Sequence, residues 1–430
     1  MGESSEMAGQ ATTAAAQPTR VRYWVVVFAV TLAVITYVDR VAISYTGPFI
    51  RHDLGLSAVQ LGWAFAAFGW AYALMDMPKG FLGDWMGPRV VLMAIVLWWS
   101  FFTAATGWAW SFVALVSIRA LFGAGEAGCF PNLTKTFTVW LPQREKVRAQ
   151  GVMWMSARWG GAFTPLLVKW VVDQVGWRHA FMVFGGLGVV WAVIFYLWYR
   201  NDPRDNPHLN AAERELLAPN ENLAEGHSHV PWGRWFRKPS FWMLCAQYFA
   251  LSYGWYFYIT WLPTYLREGR GLALGSTALL SMLPLFFGGL GNPVSAFITG
   301  WMVRRTGDVG RARRSICYVS FLGAAAFLVF STRVHNPFYA MLAIGSASFF
   351  NDLTMPPSWG AAMDLGGEFA GTLSGAMNMA GNIGGAMCPM VIGYLLTWTH
   401  NNWDMTFYVS AAVYLTGVVF WRFLDPVTKL

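Results

Sequence analysis

The chain has 430 residues, of which 56% are apolar and only 12% charged, about half the charged share of a soluble chain. So few charges cannot cover a soluble fold. The net charge of +8 does not mark a nucleic-acid binder either, because Lys and Arg punctuate apolar runs instead of gathering on one face. The four cysteines (Cys129, Cys245, Cys317, Cys388) lie far apart in apolar segments, which indicates neither a disulfide framework nor a metal cage.

Residues 1–19 are small and polar and read as a disordered tail. The apolar run after Arg20 and Arg22 is too long for the apolar core of a signal peptide and lacks a clear cleavage site, so it reads as a retained first helix. Twelve spans follow at 22–47, 58–82, 89–107, 110–140, 146–171, 178–199, 240–266, 275–303, 314–332, 337–362, 369–398 and 404–424. Several exceed the ~20 residues that cross a bilayer, which predicts tilt or polar extensions. The fold class is therefore an all-α polytopic membrane protein. Two six-helix bundles, 20–200 and 239–430, are joined by a polar linker, 201–238. Asn210 with Glu213 three residues later resembles a capping box and predicts a short linker helix over 211–217.

With the N-terminus inside, the inner segments hold 19 Lys and Arg and the outer loops 5, which predicts that both termini are cytoplasmic. The halves repeat weakly. Gly161-Ala-Phe-Thr-Pro165 is echoed by Gly385-Ala-Met-Cys-Pro389, and Trp177 with Phe181 by Trp403 with Phe407. A duplicated six-helix unit is the construction expected of a rocking transporter with its site between the halves.

In chain order, the polar residues within spans are few enough to name. Span one carries Tyr37-Val-Asp39-Arg40, then Pro48. Span two carries Tyr72 and, one turn on, Asp76. The loop after it reads Gly80-Phe-Leu-Gly-Asp84-Trp-Met-Gly87-Pro-Arg89. Gly80 permits close helix approach, and Asp84 can sit at a neighbouring helix N-terminus or pair with a cation. The corresponding segment of the second half, Gly300 to Gly307, lacks the acid. Span four carries Arg119-Ala-Leu-Phe-Gly123-Ala-Gly125-Glu126, then Pro131; span five Arg158; span ten Asn351 and Asp352; span eleven Asn378 and Asn382.

Ionised groups at mid-bilayer cost at least ~2.5–3.5 kcal/mol on insertion scales, so they are paired or functional. Arg119 and Glu126 share a helix face two turns apart. A permanent cation beside a protonatable acid is a minimal device for proton-coupled anion transport; a static ion pair is the alternative. Asp39 and Arg40 point about 100° apart and do not satisfy each other; anchoring of span one is their alternative role. Arg158 either contacts substrate or neutralises Asp76 or Asp352, and substrate contact would favour a dicarboxylate. Asn378 and Asn382 share a face suited to polyol hydroxyls or to interhelical hydrogen bonds. Trp24, Trp85, Trp108, Trp140 and Trp177 fall near predicted interfaces and read as belt anchors.

The loop after span two resembles the signature loop of the major facilitator superfamily. Together with the motifs of spans one, four and eleven, the chain after residue 20 resembles the anion:cation symporter family of that superfamily. Its members include bacterial carriers of hexuronates, galactonate and glucarate, with sialin and vesicular glutamate carriers as relatives. The resemblance implies a proton-coupled symporter of an organic anion, such as a hexuronate, aldonate or aldarate, working by alternating access in a bacterial inner membrane. It implies that Arg40 faces a central cavity and that Asp39 is linked to proton coupling. On this reading Arg40, Arg119, Tyr37, Tyr72, Arg158, Asn378 and Asn382 bind substrate. Glu126 and Asp39 couple protons, and Gly80, Asp84 and Arg89 gate. No cofactor, metal or nucleic acid is expected.

Sodium coupling, a dicarboxylate or aromatic-acid substrate, and a membrane sensor of such acids stay open as alternatives. A polytopic membrane enzyme would need a nucleophile, a His/Asp pair or a metal cluster near a surface. The seven His are in or beside loops without a convincing partner, and His227-Ser-His229 is a weak metal signal. No Walker A loop is present, which argues against an ATP-driven pump.

Overall fold

The computed structural model describes residues 17–56, 58–223, 229–262, 265–272 and 274–430; the tail before Gln17 and His227 lie outside the described residues. The described residues are mostly helical and contain no strand. Spans one to three are Trp24–Asp53, Ala58–Met86 and Pro88–Thr106. Span four is broken into Phe112–Glu126 and Cys129–Trp140. Spans five and six run on as Gln143–Trp198 and turn at Gly176, whose φ of 76° suits only glycine. Spans seven to nine are Pro239–Thr260, Leu274–Thr306 and Val309–Arg333. Span ten is broken into Pro337–Asp352 and Met355–Gly366, and spans eleven and twelve are Ala370–Trp398 and Trp403–Phe423. Among the described residues, eight helical stretches are long and apolar enough to cross a membrane on length and composition alone. One of them, Pro337–Trp398, holds both spans ten and eleven.

The first described residues, from Gln17, and the C-terminus lie on one face, here called the terminal face. Buried Arg22 bridges Glu145 (2.9 Å) and Glu213 (2.8 Å), and the Leu430 N–H donates to the Leu365 carbonyl at 3.0 Å. The linker helix is Ala211–Leu217, with the Asn210 Oδ1 accepting the Glu213 N–H at 2.9 Å. The reciprocal half of the capping box is not made: the Glu213 carboxylate instead takes Arg22 and the Thr19 hydroxyl. Gln17 to Thr19, expected to end a disordered tail, are thus bonded to the linker.

Span two packs along span eleven, and span five along span eight. These two seams join the halves. A Cβ on Gly80 would run into the Gly371 carbonyl, so the glycines allow the backbones of spans two and eleven to touch. Two belt assignments need correction. Trp24, Trp85 and Trp108 are exposed, but Trp140 and Trp177 are buried. The Trp140 indole N–H donates to the Arg200 carbonyl at 2.9 Å and the ring packs on Trp198 and Tyr199. That of Trp177 donates to Asp53 at 2.9 Å. Proximity to a chain turn placed these two rings at an interface; their N–H partners draw them inward.

Candidate substrate cavity

Spans four and ten, equivalent in the two halves, both break near their midpoints, and proline contributes to each break. Pro131, Pro356 and Pro357 have no N–H, so carbonyls four residues earlier lose their helical donor. Groups freed at a break inside a membrane need other partners. At the first break the Gly128 N–H donates to Asp76 Oδ1 (2.8 Å), and Lys79 Nζ donates to the Gly125 carbonyl (2.8 Å). Asp76 thus caps the N-terminus of one half-helix, and Lys79 faces the C-terminus of the other, the charges that the helix dipole favours. At the second break the Ser295 hydroxyl takes the Leu353 carbonyl.

Each first half-helix ends on a carboxylate, and each carboxylate holds an arginine. Glu126 Oε1 accepts from Arg40 Nε at 2.5 Å. Asp352 accepts two bonds from Arg158, Nε at 2.7 Å and Nη2 at 3.1 Å. Arg158 also donates to the Tyr37 hydroxyl at 3.1 Å and lies 3.9 Å from the Trp255 ring centroid. The Arg40 guanidinium sits 4.6 Å from the Tyr72 ring and 5.3 Å from Phe68. Both arginines line one cavity between the halves, with an empty space of about 480 Å³ including its open mouth. Tyr37, Tyr72, Asn378 and Asn382 line it too, with Phe130, Trp154, Tyr248, Leu251, Ser252, Trp255, Tyr256 and Met355. Its floor toward the terminal face is aromatic: Phe130 stacks on Trp154 (4.5 Å), which meets Trp359 (5.3 Å).

Six of the seven residues expected to bind substrate are therefore brought together. Arg119 is not among the lining residues. It is buried, 3% exposed, with its guanidinium over Phe122 (4.5 Å) and Phe68 (5.2 Å). Its expected partnership with Glu126 is replaced by Arg40. Seven residues of helix put Arg119 about 10 Å away along the axis, whereas span one brings Arg40 alongside. Asp39, 1% exposed, has no hydrogen-bond partner on either oxygen among the described residues; Trp99 and Thr103 are its polar neighbours. Arg158 is settled on Asp352, while Asp76 binds Gly128 and the Asn378 amide (2.5 Å). Asn382 donates to the Asn378 carbonyl and accepts from the Tyr256 hydroxyl.

At the terminal face Asp84 is fully buried and reaches across to span eleven. It accepts the Gly371 N–H (3.1 Å) and the Thr372 N–H and hydroxyl (2.6 Å each), with Lys135 Nζ at 3.5 Å. Lys135 also donates to the Glu368 carbonyl, and Gln143 to Asp364 (2.5 Å). Arg89 makes no part of this contact. It donates to the Tyr196 carbonyl (3.0 Å) and stacks on that ring, within its own half. Lys135 was not singled out in the sequence, although a lysine in an apolar run is a signal; the aromatic lining gives no such signal in a chain with 25 Trp.

Hydrogen bonds to a charged acceptor contribute about 1.5–3 kcal/mol each, and Asp84 makes three across the seam. Asp84→Asn should therefore shift the population at least ~10-fold toward a state open at the terminal face. Cysteines introduced at the terminal end of span eleven should react faster with a membrane-impermeant thiol reagent applied from that face. The four native cysteines are free, three buried and Cys245 partly so. Unchanged reactivity together with wild-type transport would remove Asp84 from gating.

Residues 29–389 match the family model described as the Major Facilitator Superfamily. The chain is 34% identical over 396 residues to a probable sulfoacetate transporter of Cupriavidus necator, covering 91% of each chain. It is 29% identical to a probable galactarate/D-glucarate transporter of Escherichia coli, covering 91% of this chain and 90% of that one. Among solved structures, the fucose:proton symporter of E. coli superposes with a TM-score of 0.70 at 13% identity, over 94% of this chain and 99% of that one.

Proposed function

The chain belongs to the Major Facilitator Superfamily, its relatives fit the anion:cation symporter family, and it is an anion transporter and not an enzyme; from that premise we propose that it carries a small organic anion inward together with protons. The observation that carries this reading is the pair of guanidinium groups, Arg40 and Arg158, on the wall of one cavity between the halves. Each is held by a carboxylate at the end of a half-helix, Glu126 or Asp352. A helix C-terminus disfavours a second negative charge. A substrate anion that takes the arginine leaves that carboxylate without its cation, and protonation is the least costly answer. Anion binding and proton binding then favour each other by linkage.

The terminal face is cytoplasmic on this reading, in keeping with its excess of Lys and Arg. The aromatic floor and the Asp84 contacts then close the cavity toward the cytoplasm, and rocking about the seams between spans two and eleven and spans five and eight opens it there. The residues suit a sugar acid, whose hydroxyls Asn378, Asn382 and the lining tyrosines can bond, and equally a short sulfonated acid of the kind named for the C. necator relative.

The test is uptake by the purified protein in liposomes under an inward proton gradient. Galactarate, galactonate, a hexuronate and sulfoacetate compete as labelled and unlabelled acids. At least one should accumulate about tenfold per unit of pH gradient for each coupled proton, and a protonophore should abolish the accumulation. Accumulation on a sodium gradient alone would overturn proton coupling, and binding without uptake would make the protein a sensor.

A further inference from the structure

The two arginine–carboxylate pairs differ in two respects. Arg40 and Glu126 both belong to the first half, so their pairing survives relative motion of the halves. Arg158 is on span five and Asp352 on span ten, so this pair crosses from one half to the other. It is also the more completely satisfied pair. Asp352 has no exposed surface, and besides Arg158 it meets the Asn351 amide (2.9 Å) and the Asn292 amide (3.4 Å), with the phenols of Tyr248, Tyr258 and Tyr414 within its electrostatic reach. Yet Arg158 borders the cavity. Tyr37 stands between the two cations, its hydroxyl on Arg158 and its ring 5.7 Å from the Arg40 guanidinium. A compact molecule with an anionic group at each end can therefore address both.

Resting on the transport reading above, we propose that Arg158 is handed from Asp352 to the second anionic group of a doubly charged substrate, and that Asp352 takes up a proton as it lets go. The exchange balances. The Arg158 fork leaves the Asp352 carboxylate for the substrate anion, and one proton from the cavity water adds to a carboxylate oxygen of Asp352. On release at the other face the proton departs and the cross-half pair re-forms. Without the proton, Asp352 would be a buried charge among amides and phenols. A monoanion bound at Arg40 has no second group to take Arg158, so Asp352 needs no proton. A dianion therefore carries one proton more than its monoanionic analogue.

The test sets each dianion against the analogue lacking its second charge, galactarate against galactonate and sulfoacetate against glycolate, in proteoliposomes. Proton-to-substrate ratio and relative affinity are measured for each. The wild-type protein should prefer the dianion at least ~10-fold and take one more proton with it. A single Asp352→Asn change should lower the dianion's proton ratio by one. The double variant Arg158→Gln with Asp352→Asn leaves no unpaired buried charge. Once shown to be folded by its elution profile and thermal unfolding in detergent, it should lose the preference for the dianion. Retained preference in the folded double variant, or equal proton ratios for dianion and monoanion in the wild type, would overturn the exchange. Uptake of none of these acids by the wild type is a different result and would overturn the transport reading itself.

Discussion

Replacing Glu126 by Gln should leave substrate-for-substrate exchange across a liposome membrane running while abolishing accumulation of a monoanionic substrate driven by a pH gradient. Glu126 is fully buried. One of its oxygens accepts from Arg40 at 2.5 Å, and the other has no hydrogen-bond partner among the described residues. It is the last residue of the half-helix Phe112–Glu126, where the helix dipole opposes negative charge. The ionised form is therefore stable only while Arg40 faces it. Glutamine keeps the shape and can still accept from Arg40, but it is neutral in both states, so anion binding no longer needs a proton. Exchange requires only loaded rocking and survives. For a monoanionic substrate the accumulation ratio, about tenfold per proton for one pH unit in the wild type, should fall to unity. If Glu126→Gln still concentrates a monoanion, the coupling proton sits elsewhere, and Asp39, with neither oxygen partnered among the described residues, becomes the first candidate.

The spans were legible because a bilayer demands about 20 apolar residues at a time, and this chain interrupts its apolar runs with few charges. Asp84 was legible because an acid four residues after a helix-contact glycine, at the end of a span, has few roles beyond capping or pairing; it does both, against span eleven and Lys135. Partner choice was not legible. Helical-face arithmetic placed Arg119 and Glu126 on one side, but face sharing fixes an angle, not a distance, and Arg40 arrives from another helix. The same limit applies to Arg158: two carboxylates within spans, Asp76 and Asp352, were candidates, and only the packing of span five beside the break in span ten selects Asp352. Asp76 was free to be a pairing carboxylate until the break in span four supplied an N–H for it to cap. Arg89, beside the signature acid in sequence, turns back onto Tyr196 because its helix, starting at Pro88, runs along span six and away from the seam.

Arg40→Lys and Arg119→Lys should separate in uptake kinetics, although the sequence cast both as substrate ligands. Arg40 lines the cavity, and its guanidinium lies against Tyr72 and Phe68. Lysine keeps the charge but loses the planar fork that meets a carboxylate with two bonds, and the weakly hydrated face that stacks on aromatic rings. A lost charge-assisted bond of about 1.5–3 kcal/mol corresponds to a rise of about 10- to 150-fold in the substrate concentration for half-maximal uptake. Arg119 sits behind that wall. Its guanidinium is packed on Phe122 and on Phe68, the ring that also flanks Arg40, and Asp39 and Glu126 lie within its electrostatic reach. Its role on this geometry is to hold the charge balance around Asp39 and the shape of the wall, so Arg119→Lys should lower the maximal rate and move half-saturation by only a few-fold. Concentration dependence of initial uptake, normalised to protein in the membrane, distinguishes the two. An equal shift of half-saturation in both variants would bring Arg119 into contact with the substrate and require the Arg40–Glu126 pair to move aside when substrate enters.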